Sequence, residues 1–356
     1  MIQPAPSPRR PFAKRRQEID SVVVVGCGDV VRHRYLPAYR LLADRGVVRK
    51  LVLIDVAAEC PVPLRPGEMY LSVQPGERVR MEPLARQVPL GPRTLVVVAT
   101  STKWHVEYIR QFLHTGCRVA VEKPIAIASR DVAAIPSHPN LYAVDHFLFK
   151  KILRDFLLLT RAWPGDGLRH LKEIQFECLE NRDIGGRAVD PITMDTGIHA
   201  FAAIGALCRA YGVPADIRVE SCLAARYRPG LAVTTAARID GTLAVAARDI
   251  PFFIRLGKAM RTDRKSLVLV PHVGQPTVID LSESGWAAHY RVLRSLLSPR
   301  PQMFQTFADA VAGLRSCERA ANLQDEGDPY PPGTTPPFLI AEHAVVAEPL
   351  PFLYQG

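Results

Sequence analysis

The chain is short of lysine. Nine of its 45 basic residues are Lys and the rest are Arg, so a Lys inside a motif stands out. Aromatic residues make up only 7%, and no basic stripe is interleaved with them, so nucleic-acid binding is not expected. No apolar run reaches the roughly 18 residues that span a bilayer, which excludes a simple membrane-spanning helix. The seven cysteines, Cys27, Cys60, Cys117, Cys178, Cys208, Cys222 and Cys317, are odd in number and contain no CxxC pair. That argues against a disulfide framework and for reduced thiols in a cytoplasmic protein. None of the ten histidines falls in HExxH or a comparable spacing, so no metal is expected. No G-x-S-x-G marks an acyl-transfer nucleophile, and there is no internal repeat.

What is present is an ordinary globular composition: 356 residues, 48% hydrophobic and 22% charged. That length fits two domains. The net charge is +10, part of it concentrated in residues 1–20, where Arg9, Arg10, Lys14, Arg15 and Arg16 face only Glu18 and Asp20. This stretch has no apolar core of a secretory signal and reads as a disordered basic tail.

From Ser21 onward, strand and helix patterns alternate. Ser21–Val25, Lys50–Asp55, 95–99, 118–121 and Leu141–Val144 are short, apolar and β-branched. Residues 35–44 and 105–114 have helical spacing and end at Gly46 and Gly116. Such alternation implies a doubly wound parallel sheet over residues 21–148. Residues 149–356 read differently. Longer strands at 173–179, 232–239, 242–250 and 266–270, with a hairpin at Asp240-Gly241 and helices at 193–207 and 302–321, imply an α+β domain with a mostly antiparallel open sheet. The Pro- and Gly-rich 327–337 reads as surface. The last twenty residues are apolar and suit packing back on the body or on a partner.

The first chemical feature is the turn Gly26-Cys27-Gly28 between the four-valine strand and the following helix. Two glycines allow a tight turn and let backbone N–H groups reach a pyrophosphate at the helix N-terminus. Gly26, Gly28, Asp29 and Val30 are therefore expected to bind a dinucleotide. The third small residue of the full fingerprint is replaced by Val31. Asp55 ends the second strand 27 residues after Gly28, near the spacing expected for the carboxylate that holds a ribose 2′-hydroxyl. It repels a 2′-phosphate, and Val56-Ala57-Ala58 offers no Arg to receive one. NAD(H) is thus favoured, with NADP(H) left open. The bland alternative is a plain strand-to-helix turn.

Two further strings complete the picture: Glu122-Lys123-Pro124, and Asp195-Thr196-Gly197-Ile198-His199. With the Gly-rich turn they resemble the Gfo/Idh/MocA oxidoreductases over roughly residues 21–330. The resemblance implies an N-terminal Rossmann domain and a C-terminal domain with an open sheet. It also implies that Glu122, Lys123 and the Thr100-Ser101-Thr102 loop with His105 line the nicotinamide, and that Pro124 follows a cis bond. A homo-oligomer is a family-level expectation. Asp145-His146-Phe147 and Lys150 are also similar to the distantly related glucose-6-phosphate dehydrogenases.

Read as chemistry, a Lys at the carboxyl end of a parallel strand points into the ligand crevice, where Lys123 can stabilise a developing alkoxide. Asp195 and His199, four apart on an expected helix, would share one face. His199 suits proton transfer. Asp195 would orient it or bind a neighbouring hydroxyl, and Gly197 would admit a ligand or cofactor closely. The bland alternatives are a loop Lys and a helix-stabilising Asp–His pair. Asp145 and His146 have a plausible crevice position, and Asn181 and Arg182 either reach a polar substrate or form a solvated turn. The expected function is nicotinamide-dependent hydride transfer to or from a secondary alcohol or ketone of a small polyhydroxylated substrate. By resemblance that is a sugar, aminosugar or cyclitol, and more narrowly a keto-sugar reductase of specialised metabolism. The competing reading is a non-catalytic dinucleotide-binding sensor or scaffold.

Overall fold

A computed structural model describes residues 19–74, 84–86, 88–162, 167–180, 191–225, 234–258, 260, 263–283, 285–326, 329 and 345–346. The basic tail to residue 18, most of 327–337, and Asn181 and Arg182 lie outside the described residues.

Six strands form the first sheet: β1 (Ser21–Val25), β2 (Lys50–Asp55), β3 (Glu68–Ser72), β4 (Thr94–Val98), β5 (Arg118–Glu122) and β6 (Leu141–Val144). Their order is β3-β2-β1-β4-β5-β6, and every neighbouring pair is parallel. β1 and β4 are buried along their whole length. A strand covered on both faces has no solvent side, which is why both read as unbroken apolar runs. The chain order reverses between β1 and β4, so a crevice opens beyond their carboxyl ends. The helix after β1 begins with a wide π turn, Val31–Tyr35, and continues as α1 (Leu36–Asp44).

The second sheet holds β7 (Leu171–Glu180), β8 (Asp216–Ala225), β9 (Ala236–Val245), β10 (Arg248–Lys258), β11 (Arg264–Pro271), β12 (Thr277–Asp280), β13 (Gln324–Glu326) and β14 (Val345–Val346), in the order β13-β8-β9-β10-β7-β11-β12-β14. It is mixed and mostly antiparallel, with parallel pairs β7/β10, β8/β13 and β12/β14. The expected hairpin at Asp240-Gly241 is not there. Both residues sit inside β9, and the chain turns at Ala246, where φ is 55°. Gly241 is required by packing instead: a Cβ would lie 2.3 Å from Arg218 O and 2.5 Å from the Phe252 ring. Of the last twenty residues, the described pair β14 does pack back, on β12.

The described helices beyond α1 are α2 (His105–Leu113), α3 (Ser129–Val132), α4 (Lys151–Ala162), α5 (Ile192–Asp195), α6 (Gly197–Ala210), α7 (Ala287–Leu297) and α8 (Phe307–Asn322). α6 is the pillar of the second half, with buried residues on all its faces, packed among α4, α8 and β10. The expected helix at 302–321 starts later, at Phe307, where Thr306 and Asp309 form a reciprocal cap. α7 and α8 cross back to the first sheet. α7 packs on α1, and Arg118 of β5 donates to the carbonyls of Leu296 and of Ser298, the latter at 2.8 Å. α8 accepts from Ser129 N and Oγ through Glu318 at 2.7 and 2.6 Å.

The two glycines after β1 carry different burdens. Gly26 has φ +94°, and a Cβ there would lie 2.5 Å from Ala99 O; Gly28 has open space around it. Gly26→Ala should therefore cost about 2–4 kcal/mol of stability, and Gly28→Ala less than about 0.5 kcal/mol. Urea unfolding of the two variants beside the wild type measures the difference; equal losses would refute this division.

Candidate active site

The carboxyl ends of β5, β6, β7 and β10 converge with the α5–α6 junction. Glu122 ends β5, and Lys123 follows it before a cis bond to Pro124. Lys123 Nζ donates to Asp195 Oδ1 and to Asp195 O, each at 2.7 Å. Lys258, at the end of β10, donates through Nζ to Asp195 Oδ2. Each carboxylate oxygen of Asp195 thus holds one ammonium.

His199 is engaged elsewhere. Its Nδ1 lies 2.8 and 2.9 Å from the two oxygens of Asp145, which also accepts from Phe147 N at 2.9 Å. The Phe147 ring stacks on the imidazole with centroids 4.0 Å apart. Burial pushes the His199 pKa below the usual histidine value; Asp145 opposes this and Lys123 adds to it. Burial pushes the Asp145 carboxyl up, but the His199 ring, the Phe147 N–H and the Lys123 charge together hold it below the ordinary carboxylate value. A neutral imidazole that donates Nδ1–H to a carboxylate keeps a lone pair on Nε2, which is the arrangement of a general base.

This revises the expected pairing. The helix is interrupted at Thr196: α5 ends at Asp195 and α6 begins at Gly197. Asp195 therefore serves the lysines, and Asp145, 54 positions earlier, orients His199. Gly197 is not an approach point for a ligand either. Gly197 is buried, and a Cβ there would meet Leu256 Cδ1 at 3.4 Å, an ordinary packing contact with β10.

On the dinucleotide side, Gly26, Gly28 and Asp55 gather at the crevice with the Thr100–Thr102 loop. Asp55 Oδ2 accepts from Cys27 N at 2.5 Å and Oδ1 from Ala57 N at 3.1 Å, so the carboxylate is fixed at the strand end. Thr100 Oγ1 lies 3.3 Å from Ser101 O, and Thr102 opens a short 3-10 turn. Asp29 pairs with Arg32 at 2.5 Å, and Val30 is exposed. Arg32 was not among the sequence candidates. It brings a cation to the Gly-rich turn, and its Nε is buried without a hydrogen-bond partner among the described residues. His105 is buried, with Nδ1 2.9 Å from Pro124 O and Nε2 3.0 Å from Thr100 O. Both nitrogens face backbone carbonyls, so His105 braces the loops after β4 and β5 against each other.

Beneath the site lies a buried polar layer. The Tyr35 hydroxyl donates to Glu122 Oε1, and Lys123 N donates to Glu122 Oε2 at 3.2 Å. Tyr35 meets the His289 ring edge-on at 4.9 Å, His289 stacks on His146 at 4.7 Å, and His146 meets His199 at 5.1 Å. Asp145, His146 and His199 each present a ligand-type atom within 4.8 Å of the others, a grouping that no spacing along the chain announced. Burial pushes the Glu122 carboxyl up to about 7. Between the ordinary value near 4.5 and about 7, the folded protein holds a proton that the unfolded chain has lost, so stability falls as pH rises through that window. Glu122→Gln removes this titration. The variant should gain on the wild type by up to about 3 kcal/mol between about pH 5 and 7.5, as read from urea unfolding at the two pH values; a constant gap would refute it.

The comparisons with known proteins bear on the fold. The family model for oxidoreductases with an NAD-binding Rossmann fold, Gfo/Idh/MocA, matches residues 21–141. No curated protein sequence matches the chain. Among solved structures, GenD2 from gentamicin A biosynthesis in complex with NAD is similar with a TM-score of 0.63 and 18% identity, over 88% of this chain and 97% of that one. Glucose-6-phosphate 1-dehydrogenase from Mycobacterium avium has a TM-score of 0.66 and 14% identity, over 87% and 94%. A 3-ketoreductase from Actinomadura kijaniata, in complex with TDP-benzene and NADP, has a TM-score of 0.57 and 14% identity, over 87% and 99%. At such identities the likeness is one of fold. Residues 21–141 thus match the NAD-binding Rossmann domain of the Gfo/Idh/MocA oxidoreductases.

Proposed function

We propose that the protein transfers a hydride to or from a secondary alcohol or ketone of a polyhydroxylated substrate, a sugar, aminosugar or cyclitol. The observation that carries this reading is the Asp145–His199 pair, with Nε2 left for substrate, beside Lys123 at the mouth of the dinucleotide crevice. A scaffold or sensor has no need of a buried imidazole oriented by a buried carboxylate. Two structures similar in fold, one from an antibiotic pathway and one a 3-ketoreductase, support the narrower reading of a keto-sugar reductase.

The cofactor fits the residues present. Open space at Gly28 leaves room for a phosphate at the start of the helix, and the Arg32 guanidinium, paired with Asp29, brings a cation to the same turn. Gly26, Gly28, Asp29, Val30, Arg32, Asp55 and the 100–102 loop would hold the dinucleotide. When bound, the nicotinamide supplies or takes the hydride. Asp55, fixed by Cys27 N and Ala57 N, favours a free ribose hydroxyl over a phosphate, hence NAD(H) over NADP(H).

The chain's own residues handle the proton. In alcohol oxidation, neutral His199 takes the hydroxyl proton on Nε2 while Asp145 holds Nδ1–H and stabilises the resulting imidazolium. The Lys123 ammonium stabilises negative charge growing on the substrate oxygen. Asp195 holds Lys123 in place through its carboxylate and its backbone carbonyl.

Separate fluorescence titrations with NADH and NADPH should show tighter NADH binding, retained in His199→Ala and Asp145→Asn. Failure to bind either dinucleotide would refute the proposal. In oxidation, the base works only when neutral. Because burial lowers its pKa, activity should persist to below about pH 6.5 before falling. Asp145→Asn removes the group that raises that pKa, so its acid limb should move to still lower pH. The maximal rate should drop by about 10²–10⁴-fold, as measured in pH–rate profiles of both proteins.

A further inference from the structure

The far end of the parallel sheet carries a second concentration of charge. Arg49, Asp20 and Arg93 each stand one residue before a strand: β2, β1 and β4, neighbours in that order across the sheet. The register aligns Ser21 with Lys50 and with Thr94. Arg49 N donates to Asp20 O at 2.8 Å, and Asp20 N donates to Arg93 O at 3.2 Å. The sheet itself therefore sets an arginine on each side of one aspartate. Two helix ends add to them: Arg45 caps α1, and Arg294 lies in the last turn of α7. All five residues line one open cavity of about 620 Å³, with Leu42, Val47 and Leu297 among its apolar walls. Asp20 and Gly26 stand at opposite ends of β1, roughly 20 Å apart at the usual rise per residue, so this cavity is separate from the dinucleotide turn.

The charges here do not cancel. Among the described lining residues Asp20 is the one carboxylate, against four arginines, so the lining carries four minus one, or +3. Arg93 takes Asp20. Arg45 donates to a neutral acceptor, the Tyr290 hydroxyl, at 2.7 Å. Arg49 and Arg294 are exposed, and their side chains have no partner among the described residues. The acids nearest in sequence leave the excess standing. Asp44 faces Arg65 at 3.6 Å, and Glu18, outside the described residues, follows Arg15 and Arg16. Two further cations are close: Lys50 follows Arg49, and Arg118 donates to the carbonyls on either side of Leu297, those of Leu296 and Ser298.

Arginines on a convex face are simply solvated. These four line a concavity of the size that holds a small organic ligand, and a guanidinium fork matches phosphate oxygens in two-point contact. A carboxylate brings one negative charge and a phosphoryl group close to two, so two adjoining phosphoryl groups balance the excess in the least space. We propose that the cavity binds a polyphosphate, free or carried by a nucleotide. Arg49 and Arg294, with no partner to release, are its main ligands, and Arg45 and Arg93 flank them. In a nucleotide, Leu42, Val47 and Leu297 would receive the base. The site stands apart from hydride transfer, because it lies at the amino ends of the strands and the reaction crevice lies at their carboxyl ends.

The test is calorimetric titration of the full chain at low, matched ionic strength, because exposed contacts are screened. The probes are inorganic pyrophosphate and ADP. The proteins are wild type, Arg49→Gln, Arg294→Gln, the double variant, and Arg130→Gln as a control, whose exposed side chain sits on α3. Both probes can also enter the Gly-rich turn, so what counts is the part of binding that depends on Arg49 and Arg294. At least one probe should bind the double variant about tenfold or more weakly than the wild type, as the loss of charge-assisted hydrogen bonds implies. Each single variant should fall in between, and Arg130→Gln should match the wild type. Substitutions at exposed positions cost little stability, and urea unfolding of each variant verifies that the loss is local. An arginine-dependent ADP affinity above that of pyrophosphate identifies a nucleotide; the reverse order identifies free polyphosphate. Equal affinities in wild type and double variant for both probes overturn the proposal. So does an equal loss in Arg130→Gln, which would mean diffuse surface charge. Neither result bears on hydride transfer, which the NADH titration tests at the other end of the sheet.

Discussion

One carboxylate joins the two sheets. Lys123 comes from the end of the parallel sheet, Lys258 from the end of the mixed sheet, and Asp195 sits between them on a one-turn helix. Two cations on one anion would repel each other if the anion left, so Asp195 sets both their separation and their direction. The pairs are only partly buried, which matters for their energy. A fully dry ion pair pays heavy desolvation, whereas one near water is cheap to form and cheap to exchange. Such a clamp holds the two strand ends in register.

The interrupted helix makes this possible. Had 193–207 run as one helix, Asp195 and His199 would have faced the same way, and one carboxylate would have served both the imidazole and the lysines. The break at Thr196 lets α5 deliver Asp195 to the lysines while α6, buried on all sides, delivers His199 to Asp145. The protein thereby keeps two acids in two environments. Asp145 is held ionised by the ring it orients, while Glu122, deeper and bonded to a tyrosine, is pushed toward its neutral form. Environment, not residue type, assigns the roles.

The legible parts of the sequence were local. The four-valine strand, Gly26, and Glu122-Lys123-Pro124 announce a parallel sheet with a Lys at a strand end, because burial on both faces and positive φ leave marks within a few residues. The pairing of His199 with Asp145 and of Asp195 with Lys258 left no such mark. It is fixed by which strand ends meet, and the relevant partners are 54 and 63 positions apart. Spacing four along a helix pointed to the wrong carboxylate for the same reason: it assumes a continuous helix and sees nothing beyond it. Asp240-Gly241 misled in a related way. Its glycine makes room for Phe252 across the sheet, and a contact with another strand is invisible to a rule about turns.

The scarcity of lysine takes on meaning once the arginines are placed. Arg40 grips Glu68 with a two-point fork at 2.8 Å each. Arg255 and Arg264 both hold Glu177 at 2.9 Å, Arg291 links Glu283 to Phe149 O, and Arg118 caps the end of α7. These are fixed, planar, structural contacts, the work for which a guanidinium fork is suited. The site uses ammoniums instead. An ammonium is a compact charge on a flexible stem, able to leave one acceptor for another and to shift its pKa with burial, as Lys150 does. A chain with 36 arginines and nine lysines thus places four of those lysines, Lys123, Lys150, Lys258 and Lys265, near the carboxyl ends of β5, β7 and β10.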